Sequence, residues 1–413
     1  DILGVTHAML TSHEEFKNTP GVKINYSKEK FAGCTTIHPH TLLKESELVR
    51  HEIKLSEWKG LPVFFPQESG DIPFDIFSAV FYLVSRYEEY LPFQADKHDR
   101  FEAGQSLAVK GNFLRIPIVD LWCVEFARQL GIHETCKKIR PDNYKFCLTI
   151  DVDHAWVFKN RGVLFLAGSL AKPLILLKIK NLLYRLRIYM NRIPDPGNTY
   201  EYLFRIQNRL KEKIRFFILC STKKKYDNNI SLRNREFRNL ITELNKTGII
   251  GLHPSFGSDK SFGKLKKEYK KLEAILQQKV HLSRQHFLKL SFPDTYRNLI
   301  ELGITEDHTM GYASGTGFRA GIARPFFFYD LFEEKQTSLR IVPFQVMDRT
   351  LLSYLNFTPE MAIHEFDHYS EIIKKVGGQF VSLWHNTSLS ETEEWKGWKK
   401  VFEHMIKTNK MND

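Results

Sequence analysis

The sequence predicts an α/β protein, with a parallel sheet or barrel in its C-terminal two-thirds and a smaller α/β domain in front. Three observations carry this expectation. From about residue 140 onward, apolar runs of strand length alternate with stretches of helical periodicity. The alternation spans about 270 residues, close to the size of one (β/α) barrel. Five of the strand-like runs end in ionisable residues, and a parallel barrel gathers its working groups on that rim.

The chain has 413 residues, enough for two or more domains and a sizeable core. Its apolar content of 42% and charged content of 26% are those of a soluble globular protein, so disorder is not expected. The formal charge of +12 can favour nucleic acid, an anionic membrane surface or acidic glycans. No zinc-finger spacing, RNP-like aromatic run or basic zipper occurs, so a nucleic-acid partner is not expected. The lysines of 264–271 alternate with apolar residues and read as a solvated helix face. The cysteines are Cys34, Cys123, Cys136, Cys147 and Cys220, an odd number without a CxxC pair. They imply neither a disulfide framework nor a thiolate metal site, and they fit a reducing compartment. The chain opens without a signal peptide or an initiator Met, and the expected location is the cytoplasm, with the inner membrane face as second option.

In the first 140 residues, helical spacing over 76–90 follows Asp75, a suitable cap, and Leu91-Pro92 ends it. A second helix is expected over 119–130, stopped by Gly131. Apolar runs such as 61–65 suggest strands between them. His38 and His40 lack acidic neighbours and read as structural.

Arg140-Pro141-Asp142-Asn143 is a turn-rich junction. Beyond it, strands are expected over 144–150, 214–220, 247–252, 280–283, 339–346 and 379–383, with helices over 231–246 and 262–278. The stretch 163–190 is apolar but carries Lys172, Lys178, Lys180, Arg185 and Arg187, too closely spaced for a membrane span. It reads as a helical insertion packed on the protein, or as an amphipathic helix on a membrane surface.

The strand ends hold the chemistry. The run 144–150 leads into Asp151 and Asp153, which share one face of an extended chain. Two close carboxylates repel unless a cation or proton lies between them. The run 247–252 leads into His253, 280–283 into Arg284 and His286, 339–346 to Asp348, and 379–383 into Trp384, His385 and Asn386. Carboxylates with an imidazole suit a divalent metal, zinc first. Such a metal makes water nucleophilic near neutral pH, a free carboxylate can take its proton, and His385 can protonate a leaving group.

Taken in order, these motifs resemble those of the polysaccharide deacetylases, the family with the NodB-homology domain. Thr149-Ile150-Asp151-Val152-Asp153 looks like the first motif, Leu252-His253-Pro254-Ser255 the second, Arg284-Gln285-His286-Phe287 the third, and Leu383-Trp384-His385 the fifth. Asp348 stands where the fourth motif has its Asp. The likeness covers about 143–390, and several of these phrases look like a bacterial branch with an extra N-terminal domain. It implies a distorted (β/α)7-type barrel over 141–413 behind an accessory domain over 1–140. It also implies removal of N- or O-acetyl groups from a carbohydrate, such as a cell-envelope polysaccharide or glycolipid precursor. The implied roles are Asp151 as base, Arg284 orienting it, His385 as acid and Asp348 supporting that acid.

Three departures stand out. The family's second motif carries a further His where this chain has Gly257, so His286 is expected as the third ligand beside Asp153 and His253, with His154 and His308 in reserve. Val152 separates the two carboxylates of the first motif. Asp153 and His253 are 100 residues apart, which an insertion over 157–199 explains. Arg319, in a glycine-rich run, is expected to contact substrate or hold its loop, and Trp384 and Asn386 to line the substrate side. One divalent metal, zinc first, and an acetylated carbohydrate are the expected cofactor and partner. Peripheral membrane contact is a further expected option, and oligomeric state is left open. The alternative reading is a catalytically degenerate barrel that binds glycan or acts at a membrane surface.

Overall fold

The computed structural model describes residues 2–221 and 225–409. The N-terminal part holds two small sheets. Strands β1 (Ile24–Asn25) and β2 (Thr35–Thr36) pair in parallel, and β3 (Leu55–Trp58) and β4 (Leu61–Phe64) form a hairpin. The helix Ile76–Val84 starts where Asp75 accepts hydrogen bonds from the backbone N–H groups of Phe77 and Ser78, the cap its sequence predicts. It stops earlier than its periodicity suggests. Arg86 adopts a left-handed backbone with φ of 58°, and only a short turn, Tyr87–Tyr90, continues beyond it. The break turns the Arg86 guanidinium inward, onto Glu89, Tyr312 and the Arg319 carbonyl. The second expected helix runs Ile118–Gln129, with Gly131 in the left-handed region beyond it.

The main sheet has nine strands. They are β5 (Lys145–Val152), β6 (Arg215–Leu219), β7 (Ile249–His253), β8 (Leu282–Ser283), β9 (Glu306–Asp307), β10 (Phe326–Asp330), β11 (Lys335–Ile341), β12 (Val346–Met347) and β13 (Gln379–His385). Their order is β10-β11-β9-β8-β7-β6-β5-β13-β12, and every neighbouring pair is parallel except β10 with β11. The strand expected over 339–346 divides into β11 and β12. This continuous run supplies the second strand from one edge and the strand at the other: Arg340 and Ile341 register with β9, and Val346 and Met347 register with β13. Strands β9 and β10 are too short, or too one-sided in composition, to stand out as full elements in the sequence.

Side chains on the strands sort by parity, as extended backbone requires. Along β5, Phe146, Leu148, Ile150 and Val152 join the large core shared with the helices. Cys147 joins a second apolar cluster with Val381, Leu383, Val342, Phe344 and Met347. That inner cluster lies on the face to which Asp151 and Asp153 belong. On β13, Val381 and Leu383 share it, so His385 follows them inward while Trp384 points outward.

The N-terminal part packs on the sheet through one apolar core that continues across residue 140. Polar contacts reinforce the join. Arg115 holds Glu365 with two hydrogen bonds of 2.7 and 2.9 Å, and Asp120 accepts from Ala323 N–H and Arg324. Gly317 has φ of 130°, and a Cβ there would run into the Leu114 carbonyl. The insertion after β5 is a pair of helices, Val163–Ile175 and Ile179–Tyr189. Among the described residues no helix is long and apolar enough to cross a membrane.

Candidate active site

The parallel strands send their C-terminal ends to one rim, and the candidate residues converge there. Asp151 lies within β5, with Cα partners His385 on β13 and Phe217 on β6. Its Oδ1 accepts from Arg284 Nη1 at 2.8 Å. Arg284 is fully buried, donates through Nε to the His308 carbonyl at 3.0 Å, and lies 4.4 Å over the Phe217 ring. Such a charge keeps its place in a low-dielectric wall only with a partner, and Asp151 is that partner.

Asp153, His253 and His286 form a second group, with one ligand atom from each within 4.8 Å of the others. The ring nitrogens are sorted by their outer contacts. His253 donates from Nδ1 to the Arg284 carbonyl, which leaves Nε2 facing Asp153 Oδ1 at 3.2 Å. His286 donates from Nδ1 to Asp227 Oδ1 at 3.0 Å, which leaves Nε2 3.5 Å from Asp153 Oδ2. In both rings an acceptor fixes the tautomer and the other nitrogen turns to the same carboxylate, the outer-shell arrangement found at metal-bound histidines. Tetrahedral donors at about 2.0–2.1 Å from a zinc ion stand roughly 3.4 Å apart, close to both separations. Asp153 Oδ1 is buried without a hydrogen-bond partner, although His253 Nε2 is near. With Nδ1 committed to the Arg284 carbonyl, Nε2 and the unpartnered Asp153 oxygen are aimed at one point, where a cation fits. The donor set therefore suits one divalent metal.

The charges agree with this placement. Burial would raise the Asp153 pKa, but the imidazoles of His286 and His253 outweigh it and hold the carboxylate well below its usual range. Burial would lower His286, but Asp153 and Asp227 push it up to about 9. A metal would supply the positive charge that a protonated His286 supplies here.

His385 stands across the site. Burial would lower its pKa, yet Asp348 raises it to about 9, helped by Asp153 and Asp151. Its Nδ1 donates to Asp348 Oδ1 at 2.8 Å and its backbone N–H to Asp348 Oδ2 at 2.7 Å, while Nε2 points inward, 3.5 Å from Asp153 Oδ2. Asp348 follows β12, is fully buried, and also accepts from Ser388.

Three expected substrate contacts lie elsewhere. Arg319 is buried and bound to both Glu89 oxygens, and donates to the Gly311 carbonyl at 2.9 Å. It holds its loop to the N-terminal part, the second of the two roles expected of it, and its carboxylate partner is Glu89 of the protein itself. The glycine-rich run around it packs on Leu114 for the same reason. Trp384 is fully buried, stacked on Phe366 and edge-on to Phe402, as its parity on β13 requires. Asn386 is buried and its amide donates to the carbonyls of His154 and Gly197. Both are structural rather than substrate-lining. The reserve ligands also lie apart: His154 Nδ1 meets the Asn228 carbonyl, and His308 Nε2 meets Glu306.

Asp227 does not stand out in the sequence. It lies in the loop after β6, on the rim, but nothing in Lys225-Tyr226-Asp227-Asn228 distinguishes it from other loop acids. Gly257, where the family has its further His, is an exposed turn residue and the site reaches past it to His286.

A family of unknown function (DUF7033) matches residues 1–133. No curated protein matches the chain. Among solved structures, the chain is similar to the polysaccharide deacetylase Bc1974 from Bacillus cereus, with 12% identity, 64% of this chain and 86% of that one covered, and a TM-score of 0.31. It is similar to BA3943, a CE4 family pseudoenzyme from Bacillus anthracis, with 15% identity, coverage of 64% and 62%, and a TM-score of 0.30. It is also similar to the allantoinase PuuE, with 8% identity, coverage of 64% and 86%, and a TM-score of 0.38.

Proposed function

We propose that this chain is a metal-dependent deacetylase that hydrolyses N- or O-acetyl groups on a carbohydrate. The observation that carries the proposal is one constellation: Asp153, His253 and His286 converging, with the Asp151–Arg284 pair on one side and the His385–Asp348 pair on the other. In this reading residues 141–413 form the catalytic barrel, and residues 1–140 an accessory domain that braces its rim loops.

Asp153, His253 and His286 hold the cation, zinc by the chemistry of the donors. When bound, it polarises the acetyl carbonyl and makes water acidic enough to react near neutral pH. Asp151, oriented by Arg284, takes one proton from the attacking water as its oxygen bonds to the carbonyl carbon. His385, protonated at neutral pH, gives its Nε2 proton to the leaving nitrogen or oxygen as the bond to the carbonyl carbon breaks. Asp348 fixes the ring so that Nε2, not Nδ1, carries that proton inward. Acetate and the free amine or hydroxyl result.

The test is acetate release from an N-acetylated chito-oligosaccharide and from an acetylated xylan, before and after zinc loading. Zinc-dependent release that Asp151→Asn removes supports the proposal. Gly257 favours a second reading, a barrel that keeps the cation but not turnover. Stoichiometric zinc with no acetate from either substrate would select that reading.

A further inference from the structure

We infer that the helical hairpin 163–190 is a docking element for an anionic lipid bilayer, lying on the surface rather than spanning it. The inference does not rest on the deacetylase reading. Ten of the large apolar side chains exposed among the described residues fall in this one stretch. They concentrate at the turn between the two helices, where Ile175 is 77% exposed and Leu177 82%, with Leu174, Leu176 and Ile179 about half exposed; Leu164, 88% exposed, lies at the start of the first helix. A folded chain leaves such a patch in water only where something else covers it.

Charge says what covers it. Residues 161–192 contain seven Lys or Arg and no Asp or Glu. A chain of net charge +12 thus carries more than half its excess in 32 residues. Lys172, Lys178 and Lys180 flank the apolar tip, are exposed, and have no ion pair among the described residues. An apolar tip ringed by cations matches the boundary between acyl chains and anionic headgroups: the leucines enter, and the lysines stay at headgroup level. Nucleic acid would use the cations but leave the leucines in water. A protein partner would need a surface both apolar and acidic.

The hairpin is firmly placed. Its helices are held together by Ser169 and Tyr189, whose hydroxyls lie 2.6 Å apart. Asp195 closes its base by accepting from the N–H groups of Val157, Phe158 and Lys159 at 2.8–2.9 Å. Asn386, next to His385, donates to the Gly197 carbonyl at that base. A docked tip therefore fixes the rim relative to the membrane.

The experiment is co-sedimentation of the full chain with vesicles of phosphatidylcholine alone or mixed with phosphatidylglycerol. Wild type should sediment with the anionic vesicles and far less with the neutral ones. Leu176→Glu with Leu177→Glu should weaken binding at least about tenfold. Lys172→Glu with Lys178→Glu and Lys180→Glu should weaken it at least about a hundredfold at low salt, because each change removes a lipid-facing positive charge and adds a negative one. Lys266→Glu with Lys267→Glu, on the helix Phe262–Leu276 outside the hairpin, should leave it unchanged, and unchanged thermal melts certify all variants as folded. Absence of sedimentation overturns the inference. So does equal binding by the tip variants, or a wild-type dimer that Leu177→Glu splits without any vesicle binding.

Discussion

Two buried charge clusters lie in this molecule, and they differ in how completely they are satisfied. At the join between the N-terminal part and the sheet, Glu89 sits between Arg86 and Arg319. Each Glu89 oxygen accepts from a guanidinium, and further Arg86 and Arg319 donors go to Glu88, Tyr312 and two backbone carbonyls. At the rim, Asp153 faces three imidazoles and still has a buried oxygen without a hydrogen-bond partner. The first cluster is almost fully buried, whereas Asp153 and His385 in the second are 20% and 17% exposed. The first turns its donors on itself and serves the fold. The second leaves its acceptors aimed at a common point and is built for a guest. Burial of charge alone does not mark a site; burial of charge with its valences open does.

The comparison is sharpest when each cluster loses one charge without changing shape. Asp151→Asn keeps the contact with Arg284 but removes the base. Acetate release should fall by about 10²–10⁴-fold with zinc affinity by calorimetry close to wild type, while stability in urea falls because buried Arg284 loses its counter-charge. Acetate release at the wild-type rate would instead place Asp151 with the structural cluster.

Glu89→Gln is the mirror experiment. It leaves buried Arg319 without a counter-charge and Arg86 with Glu88 alone, and urea unfolding should show a loss of about 3–5 kcal/mol. Zinc affinity should not change. A variant of wild-type stability that binds zinc poorly would reverse the two assignments.

How far the sequence foretold this contrast depends on parity and reach. The five strand ends were legible because each apolar run hands over to polar residues at its C-terminal end, and a parallel sheet makes all such ends neighbours. The pair Asp151 and Asp153 followed from period two, and His286 followed from the need for a third ligand once Gly257 stood in the usual place. Trp384 shows the same rule unapplied: a residue next to an inward His385 must point outward, so its burial against Phe366 was readable on β13. Arg319 and Asn386 were not readable. Their partners, Glu89 and Gly197, are 230 and 189 residues away, and no local pattern announces a contact at that separation. Asp227 escaped for a related reason, since its value lies wholly in the imidazole that reaches it from another loop. The helix break at Arg86 likewise answers to Tyr312 and Arg319, and helical periodicity alone continues through it.

Asp227 gives a smaller and more selective effect. Asp227→Asn retains an acceptor for Phe256 N–H and for His286 Nδ1, and removes only the charge behind the ring. Outer partners of this kind are worth about 10–100-fold in metal affinity. Zinc titration should show a loss in that range. If Asp227→Asn binds zinc as wild type does, His286 is not a ligand and the rim cluster closes on His253 and Asp153 alone.

The smallest effect separates the clusters by pH. Burial would raise the Glu89 pKa, but Arg319 and Arg86 outweigh it and hold the carboxylate below the usual glutamate range. A depressed folded-state pKa means that the unfolded chain takes up the proton first as pH falls. The stabilisation is therefore complete above the ordinary glutamate pKa and is lost progressively as pH falls through that value toward the lowered one. Thermal melts of wild type should drop across this acid window more steeply than those of Glu89→Gln, which has no proton to gain there. The two curves should converge at the acid end, because a protonated Glu89 and the amide that replaces it leave the arginines equally unpaired. Parallel curves would mean that Glu89 keeps its charge through the whole range or contributes nothing by it, and the contrast between a satisfied cluster and an open one would then rest on the rim alone.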